Sequence, residues 1–203
     1  MNSLFLPTYF PSISHFVAMV NAETITFEMD DNFQKQTNRN RMYIYSPNGL
    51  QLLNIPIKHS KNAHQKTKDI QLETAFDWQK QHFKSLEAAY RSSPFFEYFE
   101  DDLAPIFQKK HTFLMDLNLE TIAFVAKCMR WPLEFSTTTE YFSEVSNTKD
   151  FRFLADGKKD ISTFENYPQV FQEKEGFLNN LSVLDLLFNE GKFALDYLKK
   201  HAF

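Results

Sequence analysis

The chain has 203 residues, 43% of them hydrophobic and 24% charged, the balance of a globular protein rather than a disordered or fibrous one. Its single cysteine, Cys128, excludes an intrachain disulfide and a cysteine-rich metal cluster, and four scattered glycines exclude a Walker-type phosphate loop and a G-x-G-x-x-G fingerprint. A net charge of -4 argues against a dedicated nucleic-acid binder, yet seven bases (Lys35, Arg39, Arg41, Lys58, Lys61, Lys66, Lys68) crowd residues 35–68 without one acid. Such a segment either holds an anionic ligand or is a solvated, lysine-rich loop. No apolar run reaches the roughly 18 residues of a membrane span. The apolar start, Met1 to Ala22, lacks a basic leader and is interrupted by Pro7, Pro11 and His15, which predicts a cytoplasmic protein.

Leu4 to Leu6 is a short apolar stretch stopped by Pro7, and Ser12 or Ser14 can cap a helix through His15, Phe16, Met19 and Val20. Thr24 to Met29 alternates, with Ile25, Phe27 and Met29 on one face and Thr24, Thr26 and Glu28 on the other. Strand, helix and strand in that order predict a parallel β-α-β opening, with Asp30 and Asp31 at the carboxyl end of its second strand. Arg41 to Tyr45, the turn Ser46-Pro47-Asn48-Gly49, and Leu50 to Ile57 form a hairpin. Ile70 and Leu72 read as another short strand. A helix is expected over Ala75 to Tyr90, short helices over Pro94 to His111, and a helix capped by Asn118 and ended by Trp131-Pro132. Glu134 to Thr138 reads as a strand, whereas Phe142 to Phe164 has no period and its Gly157-Lys158-Lys159-Asp160 stretch reads as mobile. Ser182 with Asp185 resembles a capping box, Gly191 stops that helix, and Lys192 to His201 forms a last one. The expectation is one mixed α/β domain over residues 1–203, with a largely helical C-terminal half.

Read in order, these residues resemble the WbqC-like family of bacterial surface-polysaccharide gene neighbourhoods. The resemblance rests on Leu6-Pro7-Thr8-Tyr9-Phe10-Pro11 with Phe16, then on Asp30-Asp31, Phe33, Lys35 and Asn38-Arg39-Asn40-Arg41. It continues through Trp78, Tyr90 and Pro94-Phe95-Phe96 to Tyr167-x-Gln169, Asn180-Leu181-Ser182-x-x-Asp185 and Asn189-x-Gly191. Leu6 stands where the family opens on Gln, Ser14-His15 replaces a Gly-Tyr pair, and residues 137–164 compress a longer, glycine-paired segment. The resemblance implies a role in making surface glycans such as O-antigen, or glycolipids. Amide-forming transfer of an acyl or aminoacyl group to an amino sugar is the reaction it suggests.

Asn38-Arg39-Asn40-Arg41 is the most informative stretch. In an extended chain Arg39 and Arg41 share a face, and two adjacent guanidiniums suit a phosphate or carboxylate, with Lys35 as a third cation. The alternative is an internal ion-pair set with Asp30 and Asp31. Those two carboxylates supply only part of a hard-cation site, so no metal is assigned and no cofactor is identified. His82 lies four residues after Trp78 on one helix face, where it is either a proton acceptor or a half-buried ring stacked on Trp78. Cys128 reads as a buried structural thiol. The functional reading is a transferase on an anionic nucleotide- or lipid-linked sugar, with a possible acyl donor. Arg39, Arg41 and Lys35 would hold the anion, His82 or Asp31 would take the proton, and Asn38, Asn40 and Gln169 would orient the sugar. The alternative is a non-catalytic protein that recognises such a sugar or a partner enzyme, since no complete nucleophile, base and orienter set is evident.

Overall fold

The N-terminal alternation folds as a parallel β-α-β unit: β1 (Asn2–Phe5), α1 (Ile13–Val20) and β2 (Thr24–Phe27). The register runs from Asn2 opposite Thr24 to Phe5 opposite Phe27. The computed structural model describes residues 2–58 and 64–203, so His59 and Lys61 of the basic segment lie outside the described residues. Two short strands complete the sheet. β3 (Arg41–Ser46) and β4 (Gly49–Asn54) intervene as the expected antiparallel hairpin, and β5 (Ser136–Thr137) then pairs parallel with β2. β6 (Thr148–Asp150) pairs parallel with β1, giving the order β5-β2-β1-β6. β6 lies in the stretch without sequence period, because three residues are too few for an alternation to register. The chain leaves β1 towards β2, while β6 lies on its other side. Their carboxyl ends therefore flank a crevice, the usual ligand position in open parallel sheets.

Ile70 and Leu72 do not build a strand. Thr67–Asp69 is a 3-10 turn, and only isolated bridges join Ile57 to Leu72 and Gln71 to Phe113. Three long helices follow: α2 (Trp78–Tyr90), α3 (Phe96–Gln108) and α4 (Leu114–Cys128). α3 is one helix of 13 residues rather than several short ones, since Pro105 falls in its last turn and removes a single backbone donor near the end. α4 starts four residues before Asn118, because Leu114, Met115 and Leu117 are buried and extend the apolar stripe. Asn118 is consequently no cap. Wholly buried, it donates from Nδ2 to the carbonyls of Pro7 (3.1 Å) and Arg39 (2.8 Å), tying two loops to the helix.

The C-terminal part holds a short α5 (Gln172–Glu175), α6 (Val183–Glu190) and α7 (Ala194–Lys200). Ser182 caps α6, its hydroxyl accepting from the Leu184 amide at 3.3 Å. Asp185 does not complete a capping box; its carboxylate turns inward to Tyr90 and Tyr167. Gly191 has φ +55°, and a Cβ there would stand 2.7 Å from the Phe95 ring, so glycine is required on both counts. Apolar side chains from β1 through α7 join one buried cluster, rich in Phe (Phe5, Phe16, Phe27, Phe96, Phe188). Among the described residues no helix is long and apolar enough to cross a membrane.

Candidate functional site

Residues 38–40 form a turn rather than an extended strand, and the turn parts the two arginines that alternation places on one face. Arg39 points into the crevice at the sheet end and is buried. Its Nε and Nη2 donate to Asp31 Oδ2 at 2.9 and 2.7 Å, and Nη1 donates to Thr37 Oγ1 at 3.2 Å. Arg41 opens on a different cavity, and among the described residues its side chain bonds only through Nε, to Asn54 Oδ1 at 3.1 Å. The internal ion pair thus holds for Arg39 and not for Arg41.

The sheet-end cavity has a volume of about 290 Å³ and is lined by Leu6, Asp31, Arg39, Tyr141, Arg152 and Lys159 among others. Leu6 directly follows β1 and Arg152 lies two residues after β6, which is how the parallel sheet brings them together. Arg152 is held by Asp150, from Nε at 2.9 Å and Nη2 at 2.6 Å, and by the Phe142 carbonyl. Its guanidinium also lies 5.4 Å from the Tyr141 ring centre. Behind it, Glu28 is wholly buried. Its Oε2 has no hydrogen bond and stands 3.8 Å from Arg152 Nη1, while Oε1 accepts from the Asp30 amide and Thr138. Burial raises the Asp31 carboxyl above its ordinary range, and Arg39 only partly offsets this. Each guanidinium keeps about two of its five N–H groups beyond these bonds.

The second cavity, about 70 Å³, is lined by Ser12, Asn38, Arg41, Tyr43, Asp160 and Asn180 among others. It adjoins a groove of about 490 Å³ that shares Asn38, Tyr43, Gly157, Asp160 and Asn180 and adds Leu50 and Ile161. The turn Asp156–Asp160 separates this cavity from the first, since Asp156 and Lys159 line one and Gly157 and Asp160 the other. The sequence reads this turn as mobile, and its residues 157–159 are exposed. The Lys159 amide donates to the Asp156 carbonyl at 2.9 Å, and a Cβ on Gly157 would meet the Asn38 side chain at 3.1 Å. Asn38 is further anchored by its amide to the Ala155 carbonyl (2.8 Å) and by its carbonyl to the Tyr9 amide (3.1 Å).

The other sequence-derived candidates lie elsewhere. Lys35 is exposed and lines neither cavity. Asn40 donates to the Ile55 carbonyl at 2.9 Å and serves the hairpin. Gln169 is buried with Tyr167 and Asp185, donating to Asp185 Oδ2 at 2.9 Å and accepting from the Leu178 amide. His82 is buried between Trp78 and Tyr9, with Nδ1 3.0 Å from the Tyr9 hydroxyl, and desolvation lowers its pKa to about 4. Lys66 and Lys68 of the basic segment both pair with Asp30. Cys128 is half-buried, its thiol pushed up to about 12 by burial. Among the described residues no group of three or more His, Cys, Asp or Glu side chains is placed to hold a metal ion.

Sequence reasoning misses Arg152, Tyr141, Lys159, Asp160 and Glu28. Arg152, Lys159 and Asp160 sit in the stretch without period, and Tyr141 directly precedes it. Glu28 directly follows β2, on the polar side of the Thr24 to Met29 alternation, which reads as exposed. The adjoining Asp30-Asp31 at a strand end was the one available signal.

The model of the WbqC-like protein family matches residues 7–162, a span that includes every residue named in the sheet-end cavity except Leu6. The chain is 28% identical to the uncharacterized protein Rv1507c of Mycobacterium tuberculosis, over 94% of each chain. No solved structure matches it.

Proposed function

The chain belongs to the WbqC-like protein family, and from that premise we propose that it is a transferase of surface-glycan or glycolipid synthesis that takes an anionic activated sugar into the sheet-end cavity. The observation that carries this reading is the convergence of Arg39 and Arg152 on one cavity at the carboxyl ends of parallel strands. Each guanidinium is oriented by a carboxylate, which fixes its remaining donors before a ligand arrives and lowers the entropy lost on binding. Lys159 adds a cation at the rim, while the exposed rings of Tyr141 and Phe153 offer flat apolar surface beside it. Asp31 is the proton acceptor of this reading, because its raised pKa shifts it in the direction general-base work favours. His82 has no part in it, being buried away from the cavity and hydrogen-bonded to Tyr9.

A second reading, a binding protein without turnover, is favoured by the buried pairing of Asp31 Oδ2 with two Arg39 donors. Thermal denaturation against nucleotide- and lipid-linked sugars tests both. A ligand at about 100 times its dissociation constant adds roughly 2.7 kcal/mol, enough to raise the midpoint by a few degrees. The expected result is a selective shift that Arg152→Ala abolishes while the fold persists. No shift with any such sugar, or one that survives Arg152→Ala, overturns the assignment of the cavity. Ligand binding without product formation in the presence of acyl donors leaves the binding reading in place of the transferase.

A further inference from the structure

The geometry points to the cavity beside Arg41 as a binding site for a small zwitterion, a molecule with a carboxylate and an ammonium group on the scale of an α-amino acid. Arg41 carries a positive charge with no carboxylate of the described residues within ion-pairing distance; its one bond is the neutral contact from Nε to Asn54 Oδ1. Asp160 is its counterpart across the same cavity. Its Oδ2 accepts from the Ser14 hydroxyl and from Asn180 Nδ2 (2.7 Å), and its Oδ1 accepts from the Ser162 amide (3.0 Å). All three donors are neutral, and together they outweigh burial and hold the carboxyl below its ordinary range. Thus an ionised carboxylate and a guanidinium line one small cavity, neither has a counter-ion among the described residues, and they do not pair with each other.

A simple anion would satisfy Arg41 and leave Asp160 facing it, whereas a ligand bearing both charges completes both. Electrostatic complementarity of this kind selects against the singly charged competitor. Asn38 adds a further group. Only 9% exposed, its carboxamide has no partner among the described residues and lines the cavity, free to donate to a carboxylate. The backbone is strained here too. Of the five non-glycine residues with positive φ among the described residues, Phe10 (39°) and Asn180 (54°) line the cavity and Gln36 (62°) lines the groove. Strain of this sort gathers where a site dictates the chain path. A cavity of about 70 Å³ admits the charged end of an amino acid, and the groove with exposed Leu50 and Ile161 admits an uncharged side chain.

None of these lining residues belongs to the sheet-end cavity, so this site goes beyond the activated-sugar reading. Calorimetric titration of the full chain near neutral pH with the twenty L-amino acids tests it, with acetate and methylammonium as single-charge controls. The expected result is binding of one or a few uncharged amino acids at least ten-fold tighter than either control. Arg41→Gln and Asp160→Asn should each weaken that binding at least ten-fold. Acetate binding as tightly as the amino acids overturns the inference and leaves a plain carboxylate site; so does the absence of amino-acid binding to the wild type. If Asp160→Asn does not fold, the wild-type controls and Arg41→Gln decide the same question. Sugar binding is read through Arg152→Ala, so either assignment can fail alone.

Discussion

Arg39 and Arg41 stand two residues apart, yet the turn through Asn38 and Asn40 gives them opposite physical situations. Arg39 lies in low dielectric with Asp31, where removing one partner leaves an uncompensated buried charge. Arg39→Ala should therefore lower stability by about 3–5 kcal/mol. Arg41→Gln should change it by less than about 1 kcal/mol, since no ion pair is broken. Urea denaturation of the two variants checks this, and equal losses would show that Arg41 also serves the fold. The sequence shows why this contrast was hidden. N-R-N-R read as an extended segment puts both guanidiniums on one side, and nothing in the four residues announces a turn. What does hold the turn is remote: Asn118, one turn inside α4, bonds the Arg39 carbonyl, and Ala155 accepts from the Asn38 amide.

At the scale of elements, the best-determined joint is the one around Asp185. This α6 carboxylate is wholly buried without a cation. It accepts from Tyr90 of α2 at 2.9 Å and, in the Tyr167–Gln169 segment, from Tyr167 at 2.5 Å and Gln169 at 2.9 Å. Desolvation outweighs these bonds and raises its pKa to about 6. The folded state therefore holds a proton that the unfolded chain releases near pH 4, so this carboxyl withdraws stability as pH rises from about 4 to 6. Asp185→Asn should remove that opposing term and steepen the loss of stability on acidification by roughly 1 kcal/mol per pH unit near pH 5. Denaturation midpoints at several pH values measure it; an unchanged slope would mean that Asp185 titrates normally. α2 and the β1-α1-β2 unit were legible from their periods, whereas α3 read as several short helices and α4 as starting at Asn118. β5 fell inside the strand expected over Glu134 to Thr138, but β6, with three residues, was not legible, and the joint between α2 and α6 involves polar side chains whose partners are far apart in sequence.

For the whole molecule the acid response is a sum of opposed terms. His15 and His82 are both buried and neutral, each lowered to about 4 by desolvation. Their contribution is complete above the unfolded value near 6.5 and is lost as pH falls towards 4, because the unfolded chain takes up the protons first. Taken by themselves, these two imidazoles and Asp185 leave a net uptake of about one proton on unfolding near pH 5, or roughly 1 kcal/mol lost per pH unit on acidification. A stability that stays level or rises between pH 6.5 and 4.5 would contradict this balance. The family resemblance was legible from ordered short motifs, and it covers residues from Leu6 onward. Which of those motif residues face a cavity was not legible, since burial places Gln169, Asn40 and His82 within hydrogen-bond networks of the fold instead.

The fourth strand of the sheet has a consequence for how such a chain can change over generations. β6 joins β1 through its main chain, with Lys149 and Asp150 exposed, and the Phe151 amide extends the ladder to the Leu4 carbonyl at 2.9 Å. Backbone pairing places little demand on side-chain identity, so Thr148 and Lys149 can drift, and the chain before them can lengthen or shorten, while the register stays the same; Asp150 is held to its identity by its bonds to Arg152. The heritable constraint falls on what comes next: Arg152 in the sheet-end cavity, then Leu154 and Ala155 sealed beneath the turn. The stretch ahead of β6, which gives Tyr141 to the sheet-end cavity, can accordingly be rewritten while Arg152 keeps its place in the lining.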